Sequence, residues 1–169
     1  KIKILKKDKI LCAKFRKGHF EGVLDVMNKL TKIINPQKIF MGEKDFQQLY
    51  LVKKKLEQSY KTKVIPCKTI RDGNNVALSS RNLLLKKPNL VIAAKIYEKL
   101  VSIKKNIKNK KNIRSFLKLQ KKELKNNFKI KIDYLELRNL KNLKISSTNK
   151  NSRLFIAYYL NNVRLIDNL

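Results

Sequence analysis

The sequence predicts an α/β protein in which a parallel sheet layer with crossover helices is followed by a smaller α+β unit. Between residues 22 and 70, helical and strand patterns alternate as helix, strand, helix, strand. This order is typical of parallel strands joined by crossover helices. Past residue 82 the chain changes to two helical segments followed by segments rich in β-forming residues. The 169 residues, 43% of them hydrophobic, are enough to bury a core.

Each element of the first part follows from a local pattern. Apolar residues recur at helical spacing over residues 22–34, and Pro36 just beyond them predicts where the helix stops. The short apolar run over residues 39–41 predicts a buried strand. A second amphipathic helix is expected over residues 43–60, and a second strand over residues 63–70.

The second part begins with a linker that contains Pro88 and continues as a helix. Another helix is expected around "IRSFLKLQKKELKNN", and "KIKIDYLELRN" and "SRLFIAYYLNNVRLIDN" predict a small antiparallel sheet. Asn161 and Asn162 should form its turn, because asparagine tolerates a positive φ. We therefore expect two domains, residues 1–84 and residues 85–169.

Composition limits the classes of function. The net charge is +30, and lysine far outnumbers arginine. Such a charge is typical of a nucleic-acid-binding module, but lysine spread evenly among asparagine and isoleucine also fits compositional drift in an A/T-rich genome. The sequence contains no run of about 18 apolar residues, so it predicts no membrane-spanning helix. Cys12 and Cys67 are far apart and form no CxxC motif, which favours a reduced, cytoplasmic setting.

The stretch "GEKD", residues 42–45, is the first candidate site. Gly42 would let a ligand approach the backbone closely, and free N–H groups at a helix start favour anions. Lys44 could place its charge on a polyphosphate, and Asp45 could cap the helix, orient Lys44 or hold Mg²⁺ through water. A capped amphipathic helix is the structural alternative, so this motif alone leaves both interpretations open.

Two further stretches offer anion-binding groups. In "ALSSRN", two adjacent hydroxyls and the forked guanidinium of Arg81 suit a phosphate clamp, although Ser79 or Ser80 could simply cap a helix. In "RKGHF", His19 is the only histidine of the chain. Together with Arg16 it could bind an anion, or it could serve packing or capping before the helix.

The order of these stretches is more specific than any one of them. "GHFEGVLDVMNKL", "GEKDFQQL", "IRDGNNVALSSRN", "DYLELRN" and "RLIDN" follow one another along the chain. From about Leu11 to the C terminus, this series resembles the pantothenate synthetase (pantoate–β-alanine ligase) family. The resemblance implies a nucleotidyltransferase-like (Rossmann-like) parallel sheet followed by a small α+β C-terminal domain. It also implies cytoplasmic enzymes, commonly homodimers, that join pantoate and β-alanine with ATP and Mg²⁺ through a pantoyl-adenylate, releasing diphosphate and then AMP.

The resemblance also implies roles for individual residues. Matched motif by motif, the residues expected to contact ATP are Gly42, Glu43, Lys44, Asp45, Ile70, Leu78, Ser79, Ser80 and Arg81. Among these, Lys44 and Arg81 would act as catalytic cations, and the backbone of Ile70 would lie against the adenine. Gln48 would bind pantoate, and Arg16 and His19 would line the site. No protein ligand to a metal is implied.

The sequence departs from the family pattern in two respects. The resemblance covers roughly the C-terminal three-fifths of a family member, and the strand and HxGH loop that begin those enzymes have no counterpart in it. Asn74 and Asn75 also stand where the family has Asp-Gly, and Lys17 stands where it usually has proline. We therefore expect the 169 residues alone to bind ATP weakly and not to turn over. A basic nucleic-acid-binding module and an inactive remnant stay open as alternatives.

Overall fold

The fold class predicted from the sequence is confirmed. The computed structural model describes residues 2–169, which divide between Thr69 and Ile70 into two compact units. The first unit carries a parallel pair of strands, and the second carries a three-stranded antiparallel sheet. The helices and strands, in chain order, are α1 (Leu11–Phe15), α2 (His19–Ile34), β1 (Lys38–Gly42), α3 (Phe46–Ser59), β2 (Lys63–Cys67), α4 (Lys87–Asn106), α5 (Ile113–Phe128), β3 (Lys131–Asn139), β4 (Ser152–Leu160) and β5 (Val163–Asn168).

In the first unit, β1 and β2 pair in parallel, with Lys38 opposite Lys63 and Gly42 opposite Cys67. The crossover between them is α3, whose core face is Leu49, Val52 and Leu56, all buried. The parallel arrangement predicted from the alternation of elements is therefore present. Strand β2 ends at Cys67, three residues before the predicted end.

Helix α2 forms where the sequence predicts it but buries a different face. Asn35 ends the helix with a φ of 49°, a conformation that asparagine tolerates, and Pro36 follows. The predicted apolar stripe is largely exposed, with Ile33 at 79%, whereas Leu24 is at 4%. The prediction that β1 is a buried strand is also wrong, because Phe40 is 67% exposed. Both deviations have the same kind of physical reason: no described element covers these apolar side chains.

The second unit has one hydrophobic core between its sheet and its two long helices. Alternate residues of β4, namely Leu154, Ile156, Tyr158 and Leu160, enter this core together with side chains of α4 and α5. The predicted turn between β4 and β5 is confirmed, and Asn161 there has a φ of 52°.

Residues 70–84 belong to the second compact unit, whereas the predicted domain boundary follows residue 84. The side chains of Arg71 and Arg81 hydrogen-bond to residues of β5, and these bonds tie the segment to the C-terminal sheet. The boundary after residue 84 concerns the domains of the family fold and stays a prediction.

Candidate functional site

The "GEKD" stretch lies at the end of β1 and leads into α3. Gly42 is the last residue of β1, and the next three residues form a turn of 3-10 helix. Gly42 has a φ of −68° and a ψ of 134°, which any residue adopts. A Cβ built at this position would meet no atom within 4 Å. The fold of this chain therefore does not require glycine here, and the space beside it is open.

The side chains after Gly42 are placed at the surface. Asp45 precedes α3 but makes no capping hydrogen bond, so the capping role considered for it is wrong. It is exposed, whereas Glu43 and Lys44 are half-buried. The turn thus presents one cation and two carboxylates at the carboxyl end of a parallel strand, which is where such sheets commonly bind ligands.

The two glutamines at the start of α3 have different surroundings. Gln47 is buried, and its Nε2 donates to the carbonyl oxygens of Asp8 at 3.1 Å and Ile10 at 2.8 Å. Its Oε1 also accepts from the Ala13 N–H at 3.4 Å. Gln47 therefore holds the N-terminal segment in place, a structural role. Gln48, the residue expected to bind pantoate, is half-buried.

Gly18 sets the start of α2. It has a φ of 77°, a left-handed conformation that favours glycine, and it lets the chain turn between α1 and α2. The turn brings Arg16 next to His19, whose backbone N–H donates to the Arg16 carbonyl oxygen at 3.2 Å. The His19 ring also lies 5.0 Å from the Phe20 ring, centroid to centroid. Arg16 and His19 are thus in contact through the backbone, and their place in lining a site stays a prediction.

In the second unit, residues 70–78 fold back on themselves as a small hairpin. The Leu78 N–H donates to the Ile70 carbonyl oxygen at 3.0 Å, next to an antiparallel bridge between Arg71 and Ala77. Ile70 and Leu78 therefore stand opposite each other, and both are exposed, Ile70 at 71%. Two neighbouring exposed apolar side chains on a fixed loop offer a surface that a flat apolar group such as a base could contact.

Asp72 organises the tip of this hairpin, and sequence reasoning missed it. One oxygen of its side chain accepts from the N–H groups of Asn74 and Val76, each at 2.9 Å. Asn75 adopts a φ of 63°, as expected for a residue that stands in place of glycine. The signal was available in the sequence, since an aspartate two residues before Asn or Gly commonly forms such a turn.

Ser79, Ser80 and Arg81 follow directly on the hairpin. The Ser79 hydroxyl accepts from the Arg81 N–H at 3.2 Å and caps a short 3-10 helix over residues 80–84. The capping alternative considered for these serines therefore holds for Ser79. Arg81 donates from Nη1 to the Arg164 carbonyl oxygen of β5 at 3.0 Å. This contact fixes the guanidinium and uses one of its five N–H donors.

The structure brings the candidate residues together as two groups, one in each compact unit. Gly42–Asp45 and Gln48 form one continuous stretch, and Ile70 with Leu78–Arg81 forms the other. Within residues 2–169, no group of three or more His, Cys, Asp or Glu side chains could hold a metal ion. None of the described helices is long and apolar enough to cross a membrane.

Comparison with known proteins places these residues in a family. The family model described as pantoate-beta-alanine ligase matches residues 1–169. A pantothenate synthetase from Flavobacterium psychrophilum is 38% identical over 160 residues, covering 92% of this chain and 56% of that protein. One from Caldicellulosiruptor bescii is 32% identical over 171 residues, covering 99% of this chain and 61% of that protein.

Solved structures agree with this assignment. The crystal structure of pantothenate synthetase from Thermus thermophilus superposes with a TM-score of 0.89 at 27% identity, covering 99% of this chain and 62% of that one. The ligase from Francisella tularensis, complexed with Beta-gamma ATP and Beta-alanine, superposes with a TM-score of 0.73 at 33% identity, covering 99% and 56%. The chain thus spans about three fifths of the length of these proteins. Because the match runs through the whole sequence, the chain belongs to the pantoate–β-alanine ligase family.

Proposed function

We propose that this chain carries the ATP-handling part of a ligase that condenses pantoate with β-alanine. The reaction forms pantothenate through a pantoyl-adenylate intermediate and releases diphosphate and then AMP. The observation that carries the proposal is the family match over residues 1–169. The Francisella tularensis relative, solved with Beta-gamma ATP and Beta-alanine, supports these two as substrates.

We assign the candidate residues to parts of the nucleotide. Gly42, Glu43, Lys44 and Asp45 contact ATP, and Leu78, Ser79, Ser80 and Arg81 hold its triphosphate. The backbone of Ile70 lies against the adenine, next to the exposed side chain of Leu78. Gln48 binds pantoate, and Arg16 and His19 line the site. Mg²⁺ enters with the nucleotide, whose phosphate oxygens supply ligands of the kind this ion prefers, so no acidic cluster in the protein is required.

The chemistry explains why these residue types suit the reaction. A carboxylate that attacks the α-phosphorus is repelled by the negatively charged phosphate oxygens. Further negative charge develops on the diphosphate as it leaves. Lys44 and Arg81 neutralise charge on the transferring and leaving oxygens. The loss of one such contact typically costs about 3 to 4 kcal/mol, or about 100- to 1000-fold in rate. The amine of β-alanine then attacks the activated carbonyl, a step in which positioning contributes most.

We further propose that these 169 residues bind MgATP but do not turn over alone. The family members to which this chain is similar are longer: it covers 56% of the Flavobacterium psychrophilum protein and 62% of the Thermus thermophilus protein. The cytoplasm is the proposed location, in keeping with the absence of a disulfide between Cys12 and Cys67. A homodimer is the proposed state of the intact enzyme. Release of AMP from pantoate, β-alanine and MgATP by the purified chain, at a rate typical of enzymes, would disprove the lack of turnover.

A pair of glycine variants tests the ATP site directly. An added Cβ at Gly42 or at Gly22 meets no atom within 4 Å, so neither Gly42→Ala nor Gly22→Ala should disturb the fold. Only Gly42→Ala should weaken MgATP binding, because its methyl group fills the space that the nucleotide approaches. Isothermal titration of each folded variant with MgATP measures this. Equal affinities for both variants and the unmodified chain would count against the site.

The net charge of +30 favours nucleic-acid binding as a second candidate function. If this function were correct, affinity for a random RNA or DNA would fall steeply with salt, because each neutralised phosphate releases counterions. Filter binding at several salt concentrations separates the two functions. Nanomolar affinity with a steep slope, and no MgATP binding, would replace the ligase assignment.

A further inference from the structure

A partly buried ion pair fastens the hairpin of residues 70–78 to the last strand. Arg71 donates from Nη1 to Asp167 Oδ2 and from Nη2 to Asp167 Oδ1, both at 2.8 Å, so the pair is bidentate. Asp167 lies in β5 opposite Ile156 and is 8% exposed. Its Oδ1 also accepts from the Asn168 N–H at 2.7 Å, which fixes the carboxylate. Because the guanidinium of Arg71 is planar and makes two parallel bonds, the pair fixes the orientation of this side chain as well as its distance from Asp167.

The same guanidinium reaches the tip of the hairpin. Nη1 of Arg71 donates to the Asn75 carbonyl oxygen at 3.0 Å. The guanidinium also stacks over the Tyr97 ring of α4, with its central carbon 4.2 Å from the ring centroid. One side chain thus links β5, α4 and the residue whose positive φ forms the turn.

Arg71 stays protonated in these surroundings. Burial alone would lower the pKa of Arg71, but the hydrogen bonds and charge of Asp167 outweigh burial and raise it. Burial and the Asp167 carboxylate together raise the pKa of the nearby Tyr158 hydroxyl, which therefore stays neutral. A bidentate pair of this kind holds the loop rigidly, because breaking it would leave the buried Asp167 carboxylate without its partner.

We propose that Asp167 is a positioning residue for ATP: through Arg71 it holds residues 70–78 in the shape that presents Ile70 and Leu78 to the nucleotide. This inference rests on the proposed function, since those two residues are assigned to ATP there. Neither Asp167 nor Arg71 touches the nucleotide in this scheme. The pair acts by ordering the loop beforehand, so that binding does not have to immobilise it.

The test compares two carboxylate-to-amide variants of the full chain. Asp167→Asn keeps the acceptor for the Asn168 N–H but removes the charge that fixes Arg71. The matched control is Glu136→Gln, which breaks another carboxylate–arginine pair of the same sheet, with Arg138. MgATP affinity should fall about tenfold in Asp167→Asn, equivalent to about 1.4 kcal/mol, and should stay within about twofold in the control.

Hydrogen exchange supplies a readout specific to the loop. The amides of Val76 and Leu78 are bonded inside the hairpin and should exchange faster in Asp167→Asn, but not in Glu136→Gln. If Asp167→Asn does not fold, Arg71→Lys replaces it, because lysine keeps the charge but cannot bridge both oxygens and the Asn75 carbonyl together. Arg71→Lys should then show the same loss of affinity and the same faster exchange.

The outcomes separate this inference from the proposed function. If the unmodified chain binds MgATP and the Asp167→Asn or Arg71→Lys chain binds it equally well, the positioning role is wrong and the ATP site stands. If the unmodified chain does not bind MgATP, the proposed function fails and the positioning role fails with it. Weaker binding together with faster exchange at Val76 and Leu78, absent from Glu136→Gln, supports the inference.

Discussion

Helix α2 allows the burial of side chains in the first unit to be tested at two positions of one helix. Ile33 and Leu24 lie on the same helix, but Ile33 is 79% exposed and Leu24 is 4% exposed. Full burial of such a side chain is worth about 1.5 to 3 kcal/mol. With about one fifth of that burial, Ile33 contributes about 0.3 to 0.6 kcal/mol to the free energy of unfolding. Alanine regains up to about 0.4 kcal/mol through its higher helix propensity.

We therefore expect Ile33→Ala to leave the free energy of unfolding unchanged within about 0.5 kcal/mol. Leu24→Ala should lower it by about 2 to 5 kcal/mol, because it removes buried methyl groups and leaves a cavity. Urea unfolding followed by far-UV circular dichroism measures both variants. If Ile33→Ala lost more than about 1.5 kcal/mol, Ile33 would be covered in solution, and the exposure of this side chain in the structure would be refuted.

At protein concentrations well above those of the unfolding measurement, exposed apolar side chains of the first unit should make the chain associate with itself. Ile33 and Phe40 are both exposed in the first unit, and β1 belongs to a sheet of only two strands among the described residues. Uncovered apolar surface and free strand edges promote aggregation. The double variant Ile33→Gln, Phe40→Gln should sediment as a smaller species than the unmodified chain. Leu119→Gln, which removes a single exposed leucine from α5, is the control and should not change the size.

Three further predictions concern single residues. Lys44→Ala should weaken MgATP binding by about tenfold or more, since a charge-assisted contact is lost, and equal affinity in isothermal titration would exclude the proposed role. Burial, with the charges of Arg153 and Lys108, lowers the pKa of Lys104 from 10.5 to about 8. Between about pH 8 and 10.5 this lysine is therefore protonated in the unfolded chain but neutral in the folded chain. The free energy of unfolding should then rise with pH over that range. Lys104→Met should flatten that rise and the exposed Lys105→Met should not, as pH-dependent unfolding in urea would show. Asn75→Ala should cost about 1 to 2 kcal/mol at its φ of 63° and Asn75→Gly should not; equal stability of the two would mean that the turn relaxes.

Local patterns were sufficient to predict most of the elements, because each carries its own signal. The apolar face of α3 recurs at helical spacing, and all of Leu49, Val52 and Leu56 are buried. The Asn161 turn was predictable because asparagine tolerates the left-handed conformation. Helix α1 was not predicted, since five residues carry too little periodicity to distinguish a helix from a loop.

Burial was harder to predict than secondary structure, because it depends on what covers a face. The apolar stripe of α2 shows that the helix is amphipathic, and the residues 39–41 show an apolar strand. Neither pattern can show whether a partner surface is present. Leu30, Ile33 and Phe40 therefore satisfy every local rule for a core position and are still exposed in this chain.

The site illustrates the same limit for polar residues. The roles of Lys44 and Arg81 stay predictions, and they could be made because a cation near a helix start suits an anionic ligand. The pairing of Arg71 with Asp167 spans 96 positions, and no periodicity connects residues that far apart. A sequence offers many arginines and carboxylates, and only the fold selects which two meet.

The hairpin shows how a motif can lose its usual residues and still form. Asn74 and Asn75 replace the Asp-Gly of the family resemblance, yet the turn closes, because the Asp72 carboxylate accepts from both the Asn74 and the Val76 N–H groups. Arg71 Nη1 also donates to the Asn75 carbonyl oxygen. The conformation is thus determined by the side chains of Arg71 and Asp72, so substitution at Asp72 should disturb the loop more than placing Asp at position 74. Measuring the Val76 and Leu78 amide exchange in Asp72→Asn and in Asn74→Asp decides this, and faster exchange in the second variant alone would overturn the argument.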